Sequence, residues 1–242
     1  MSSPVAIVEL APTGTLRAAI NFDNPILASK DAATGEPGGV TVELSRELAR
    51  RLAVPLEIVP YFAAGKVVAA TQAGAWDVCY LAIDPARAEL IAFTAPYVVI
   101  EGAYLVPEES AIHDNAEVDR PGVRVLVSTG SAYDLFLSRT LKHATIVRTT
   151  AAKGAADLFV AEKLEVLAGV RPALAADAAR IGGLRLLPGR FMAINQAMGT
   201  PRGRDAGARY LKAFIEEMKA GGFVARAIAA SGVAGASVVP PV

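Results

Sequence analysis

Hydrophobic and polar positions alternate with two different periods along this chain, and the places where the period switches mark its elements. Residues 16–22 read as a strand, and residues 41–53 as a helix because Leu44, Leu48 and Leu52 recur on one stripe. Residues 55–62 then predict a strand, residues 66–72 a short helix ended by Gly74, and residues 77–83 a strand that is almost wholly apolar. An unbroken apolar strand suits a parallel sheet covered on both faces. After Pro121 the rhythm starts again. Residues 124–128, 145–149 and 166–170 predict strands, with helices between them at 131–141 and 151–162. The repeat predicts an α/β protein of two similar lobes, each a mainly parallel sheet flanked by helices, with right-handed connections.

Two extended runs break this rhythm. Residues 95–107 are interrupted only by Glu101 and Gly102, and residues 191–198 lead into an amphipathic helix with Tyr210, Phe214 and Met218 on one stripe. If both runs cross between lobes, the chain divides into 1–98, 99–193 and 194–242, with the C-terminal helices returning to the first lobe. Two crossover strands would permit one lobe to bend against the other. Two ordinary strands within one domain remain the alternative.

Composition narrows the classes. Of 242 residues, 53% are hydrophobic and 20% charged, which excludes a disordered chain. The 24 basic and 24 acidic residues cancel, so no chain-wide field would draw it to nucleic acid or an anionic membrane. A single cysteine, Cys79, lies inside an apolar run, which excludes an intrachain disulfide or a Cys-rich zinc site and reads as a buried structural thiol. No apolar run reaches the ~18 to 20 residues of a membrane span. Residues 1–15 carry no basic stretch followed by an apolar core, so no secretory signal is read in them. His113 and His143 sit among polar neighbours and read as solvated, and no Gly-x-Ser-x-Gly elbow, His-Glu-x-x-His site or P-loop occurs.

The run Gly74-Ala75-Trp76-Asp77-Val78-Cys79-Tyr80-Leu81-Ala82-Ile83-Asp84-Pro85-Ala86-Arg87, followed by Ile91-Ala92-Phe93-Thr94-Ala95-Pro96-Tyr97, resembles the central signature of family 3 extracellular solute-binding proteins. These are the amino-acid receptors of ABC importers. Gly39-Val40-Thr41-Val42-Glu43-Leu44 and Gly130-Ser131 match further elements, and the similarity runs from about residue 16 to 223. The resemblance implies a two-lobed type II periplasmic-binding fold, a small carboxylate-bearing metabolite (an amino acid or related organic acid) held in an interlobe cleft, and delivery to the membrane subunits of an ABC importer. It implies a periplasmic monomer without cofactor, metal, nucleic acid or membrane insertion. A chain whose gene truly lacked an export signal would instead be cytoplasmic.

By this resemblance Arg87 grips the ligand's carboxylate, a task for which a guanidinium presents two parallel N–H donors, with a surface arginine paired with Glu89 as the other reading. Asp84 is placed as N-cap and Pro85 as first helical residue, so free N–H groups at the helix start would face the same anion. Ser131 and the Ala132 backbone are the matching anion contacts in the second lobe, with a plain N-cap as the other reading of Ser131. Asn21, Asp23 and Asn24, in the first loop beside Phe22, stand where the family touches the ligand's side chain, although Asn24-Pro25 is also an ordinary turn. Phe62, closing the strand at 55–62, joins these candidate contacts. The chain departs from the family in two places. Ala82 and Asp84 stand where hydroxyl residues are common, and Val170, followed by Arg171, stands where an acidic residue pairs with the ligand's ammonium. Arg171 is therefore expected to hold a second anionic group, which suits a dicarboxylate or another small acid. Glu101 is expected as a hinge carboxylate or, in an enzyme on the same fold such as a cleft dehydratase or hydrolase, as a proton donor. A ligand sensor without transport is the third reading.

Overall fold

The computed structural model of the protein describes residues 4–31, 33–150 and 154–242. The chain divides into two compact units, one running to Val99 and resuming at Asn195–Val242, the other comprising Ile100–Ile194. The first unit opens with α1 (Pro4–Leu10) and β1 (Leu16–Asn21), followed by the short ribbon of β2 (Ser29–Lys30) and β3 (Pro37–Gly38). Then come α2 (Val40–Leu52), β4 (Leu56–Tyr61), α3 (Ala64–Ala69), β5 (Val78–Ala82), the single turn α4 (Pro85–Ala88) and the long strand β6 (Ile91–Pro107). Continuing from β6, the second unit holds β7 (Arg124–Ser128), α5 (Ala132–Thr140), β8 (Thr145–Thr149), α6 (Ala155–Ala161), β9 (Val166–Val170), α7 (Arg171–Ile181) and β10 (Leu184–Leu186). Strand β11 (Met192–Pro201) carries the chain back to the first unit, where α8 (Asp205–Ala220), α9 (Phe223–Ser231) and β12 (Ala236–Val238) complete it.

In the first unit β1 lies between β4 and β5, parallel to both, and β5 pairs antiparallel with β11. Every residue of β5 is buried, as its unbroken apolar character requires. Helix α2 puts Leu44, Leu48 and Leu52 into the core and ends on Ala53, whose left-handed φ of 55° turns the chain toward β4. The one tryptophan, Trp76, is fully buried in this unit and donates its indole N–H to the Val67 carbonyl at 2.9 Å. Cys79 is also buried, and the apolar surroundings push its thiol pKa up, as befits a structural thiol.

A buried carboxylate ties these elements together. Asp77 has no exposed surface, and its carboxylate accepts from the Arg17 backbone N–H at 3.1 Å, from Arg17 Nε at 2.9 Å and Nη2 at 2.8 Å, and from Arg204 Nη1 at 2.9 Å. Its N–H donates to the Arg17 carbonyl at 2.8 Å, and its own carbonyl accepts from Thr200 Oγ1 at 2.9 Å. Arg204 Nη1 also donates to the Glu9 carbonyl, so α1, β1, β5, β11 and the start of α8 meet at one residue. Helix α1 is the element hydrophobic periodicity misses. It is too short for a stripe and is held instead by the Glu9 carboxylate, which accepts from Gly207 N–H at 2.7 Å, and by Leu10, buried against Gly207 of α8.

In the second unit the order is β6, β9, β7, β8, with β9 parallel to β7, β7 parallel to β8, and β6 antiparallel to β9. Neighbouring residues point to opposite faces and both faces are apolar. Tyr104, Val106, Val125, Val127, Val166 and Ala168 pack on one face with Leu137 of α5. Ala103, Leu105, Leu126 and Leu167 pack on the other with Phe159 of α6 and Leu174 of α7. The strands predicted at 124–128, 145–149 and 166–170 have those bounds. The helix predicted at 151–162 covers Ala155–Ala161, and residues 151–153 of that prediction lie outside the described residues. Helix α7 was not predicted. Its Arg-Pro start resembles a break, yet proline in the first turn leaves no intrahelical bond unmade. Among the described residues no helix is long and apolar enough to cross a membrane.

Replacing Asp77 by alanine leaves two guanidinium groups facing an apolar hole and should lower stability by about 3–5 kcal/mol, read as a drop in urea midpoint at unchanged slope. Asp77→Asn, which keeps some of the acceptors, should lose less.

Candidate functional site

In open α/β sheets ligands bind beyond the carboxyl ends of the parallel strands. In the first unit those ends are brought level by register. Asn21 pairs with Tyr61, Phe22 N–H donates to the Tyr61 carbonyl at 2.9 Å, and Ala19 pairs with Cys79, so β1 and β5 close within one residue of each other. Beyond β1 come Phe22 and Asp23, beyond β4 Phe62, and beyond β5 Ile83 and Asp84. Phe62 is 60% exposed and Ile83 41%, whereas the rest of this unit's large apolar side chains are mostly buried. The Phe22 and Phe62 rings lie 6.3 Å apart between centroids, and Lys30 Nζ stands 5.4 Å over the Phe22 ring. Apolar side chains presented together at a strand-end edge are what a small-molecule site uses for shape.

Arg87 belongs to the same edge. Asp84 caps α4 by accepting the Ala86 N–H at 2.9 Å, and Pro85 occupies the first helical position, as expected. Arg87 is only 2% exposed and donates from Nη1 to the Ala82 carbonyl at 3.0 Å. Burial presses its pKa down while the neighbouring Asp84 carboxylate works the other way, and a guanidinium keeps its charge regardless. The expected helix-start contribution is smaller than the sequence suggests. Helix α4 has four residues, too few for an appreciable dipole, and one of its N–H groups already faces Asp84.

The polar residues of the first loop are partly committed to their own turn. Asn21 Oδ1 accepts from Asp23 N–H at 3.2 Å, and Asn24 Oδ1 from Ile26 N–H at 3.3 Å. Asp23 differs from them. Half-buried between the two asparagines, its carboxyl pKa is pushed up to about 6 by desolvation.

In the second unit Ser128 pairs with Thr149, and Leu126 with Leu167, so the ends of β7, β8 and β9 also share an edge. Gly130 turns the chain there with a φ of 70°, and Ser131 caps α5, its Oγ accepting the Asp134 N–H at 3.0 Å. The Gly130 N–H faces the buried Asp134 carboxylate at 2.8 Å, leaving Ser131 and the Ala132 backbone as the positions free of that carboxylate's claim. At the end of β9, Arg171 stands across from Glu101 of β6, next to the Gly102–Val170 pair. Its Nε donates to Glu101 Oε2 at 2.8 Å, and its Nη2 to the Gly189 carbonyl. Arg190 Nη1 lies 3.7 Å from Glu101 Oε1.

The sequence pattern signals Arg87, Asp84, Ser131 and Arg171, but not Ile83 or Arg190. Ile83 continues an apolar strand and looks like core, and Arg190 sits in a turn with no periodicity. His113 and His143 are exposed. Among the described residues no group of three His, Cys, Asp or Glu side chains is arranged to hold a metal ion.

An acid whose folded pKa lies above its unfolded value contributes stability at low pH and loses it as pH rises through the folded value. For Asp23 that window runs from about 4 to about 6. Asp23→Asn should therefore melt higher than the parent at pH 7.5, with the gap closing by pH 4 in thermal unfolding followed by circular dichroism.

The sequence profile described as bacterial extracellular solute-binding proteins, family 3, matches residues 16–230. Among solved structures, the solute receptor for L-cysteine of Neisseria gonorrhoeae is similar with a TM-score of 0.79 and 23% identity, over 95% of this chain and 93% of that one. A mutant of the protein ArgBP from T. maritima gives 0.78 and 21%, over 94% and 99%. An ancestral amino acid-binding protein described as a precursor of cyclohexadienyl dehydratase gives 0.76 and 22%, over 93% and 97%. These likenesses show the type II periplasmic-binding fold. No curated protein matches the sequence.

Proposed function

The chain belongs to the bacterial extracellular solute-binding proteins of family 3, and from that premise we propose that it captures a small carboxylate-bearing metabolite, an amino acid or related organic acid, and delivers it to an ABC importer. The observation that carries this reading is Arg87, a guanidinium 2% exposed at the carboxyl end of β5. Its planar donor fork fits a carboxylate. Phe22, Phe62 and Ile83 supply apolar surface beside it, and Asp23 and Asn24 polar contacts. In the second unit Ser131 and the Ala132 N–H are the matching candidate contacts for an anion. The amino-acid receptors among its structural relatives support the ligand class, and the family description supports work outside the cytoplasm.

The same residues support binding rather than turnover. The one carboxylate considered as a proton donor, Glu101, faces the guanidinium of Arg171 at 2.8 Å and accepts there. Both histidines are exposed and neither belongs to either strand-end edge.

A thermal-shift screen against amino acids, dicarboxylates and aromatic acids tests this directly, since a ligand bound only by the folded state raises the melting temperature. At least one acid should raise it, and calorimetry on Arg87→Ala and Arg87→Lys should show that acid bound about 100-fold and about 10-fold more weakly, in line with loss of charge-assisted hydrogen bonds. The bound acid should be recovered unchanged after prolonged incubation. Affinity indifferent to Arg87, or conversion of the ligand, would replace this reading.

A further inference from the structure

Arg87 rides on a turn too short to hold itself. Helix α4 has four residues, and a first helical turn fixes several dihedrals for one hydrogen bond. Its start is secured by Asp84, whose side chain accepts the Ala86 N–H at 2.9 Å and whose carbonyl accepts the Ala88 N–H at 2.9 Å. At its end the Leu90 N–H donates to the Arg87 carbonyl at 3.1 Å, and the carbonyls beyond need donors from elsewhere in the chain. Arg202 supplies two of them. Its Nε donates to the Ala88 carbonyl at 2.6 Å and its backbone N–H to the Leu90 carbonyl at 2.9 Å. Arg202 is itself well placed, at the start of the connection from β11 to α8. Just before it, Thr200 Oγ1 donates to the Asp77 carbonyl at 2.9 Å, and just after it Arg204 Nη1 donates to the Asp77 carboxylate at 2.9 Å. Strand β11 also approaches the start of β6 closely, since a Cβ on Gly199 would lie 2.5 Å from Ile91 Cγ2. All of these residues belong to the first unit.

Resting on the capture reading above, we propose that Arg202 is a positioning residue for Arg87: by holding the carbonyls of Ala88 and Leu90 it fixes the α4 turn, and with it the direction of the Arg87 donor fork. The tip of Arg87 is tied to the Ala82 carbonyl through Nη1, so the turn fixes the base of a side chain whose far end is already anchored. A bidentate pair with a carboxylate depends on the angle of the fork, and a base free to rock spoils that angle without removing any donor. The connection at 200–204 therefore grips the residue before β5 and the turn beyond β5 together. Arg202 is exposed, so loss of its side chain opens no hole in the core, and its backbone bond to Leu90 survives the substitution.

Two measurements on the intact chain test this. Amide hydrogen exchange without solute should be about 10-fold faster at Ala88 and Leu90 in Arg202→Ala than in the parent, and unchanged along β5. Calorimetry would use L-cysteine, L-glutamate, L-arginine and succinate, with any further acid that the thermal screen finds. The acid bound by the parent should bind Arg202→Ala about 5-fold to 10-fold more weakly, and Arg202→Lys, which keeps a charged donor, within about twofold of the parent. In an Arg87→Ala background the same Arg202→Ala change should weaken binding no further, because a fork that is absent has no direction to lose. A merely structural role would instead weaken binding alike in both backgrounds. The positioning role is overturned if exchange at Ala88 and Leu90 is unchanged, if Arg202→Ala binds like the parent, or if it costs the same with and without Arg87. Each of those results leaves the capture reading standing where the acid depends on Arg87. An acid bound equally well by Arg87→Ala sinks the capture reading and takes the positioning role with it, as does silence from every acid.

Discussion

Asp77 is the constraint on which the first unit rests. A carboxylate sealed from solvent needs donors in place of water, and here Arg17 and Arg204 supply them from elements far apart in sequence. The residue stands immediately before β5, so whatever holds Asp77 holds the start of that strand. Five residues later β5 ends at Ala82, whose carbonyl receives Arg87. The ion cluster at one end of the strand thus sets the position of the cation at the other. Both groups are buried, and so is every residue of the strand between them.

The two units set cations at their strand-end edges in opposite surroundings. In the first, Arg87 is buried beside a capped turn, an apolar strand and the carbonyl of Ala82. In the second, Arg171 and Arg190 are partly exposed and paired with Glu101. Burying a guanidinium costs folding energy, whereas a solvated ion pair changes stability little.

How much of this can be read from residues alone depends on whether the signal is local. The strands β7, β8 and β9 were legible to the residue because alternate apolar positions serve both faces of the sheet, and α2 because its leucines keep a four-residue spacing. The capping roles of Asp84 and Ser131 were legible because a cap is set by the residues next to it. Helix α7 was not, since its alanine-rich turns bury only Leu174 and carry little stripe. Asp77 was visible as part of a motif but not as a structural node, because its partners lie 60 and 127 positions away. Arg190 failed for the same reason, its position in the fold being decided by the return of the chain from β10 to β11. The short reach of α4 limited the expected anion-facing helix start, which spacing alone overstated.

The placement of Trp76 has an optical consequence. It is the chain's sole indole, sealed in the first unit with its N–H on the Val67 carbonyl. Intrinsic emission excited at the red edge therefore watches one unit and is blind to melting of the other, whereas far-ultraviolet dichroism averages over both. A difference between the two signals would resolve separate melting of the halves without any label.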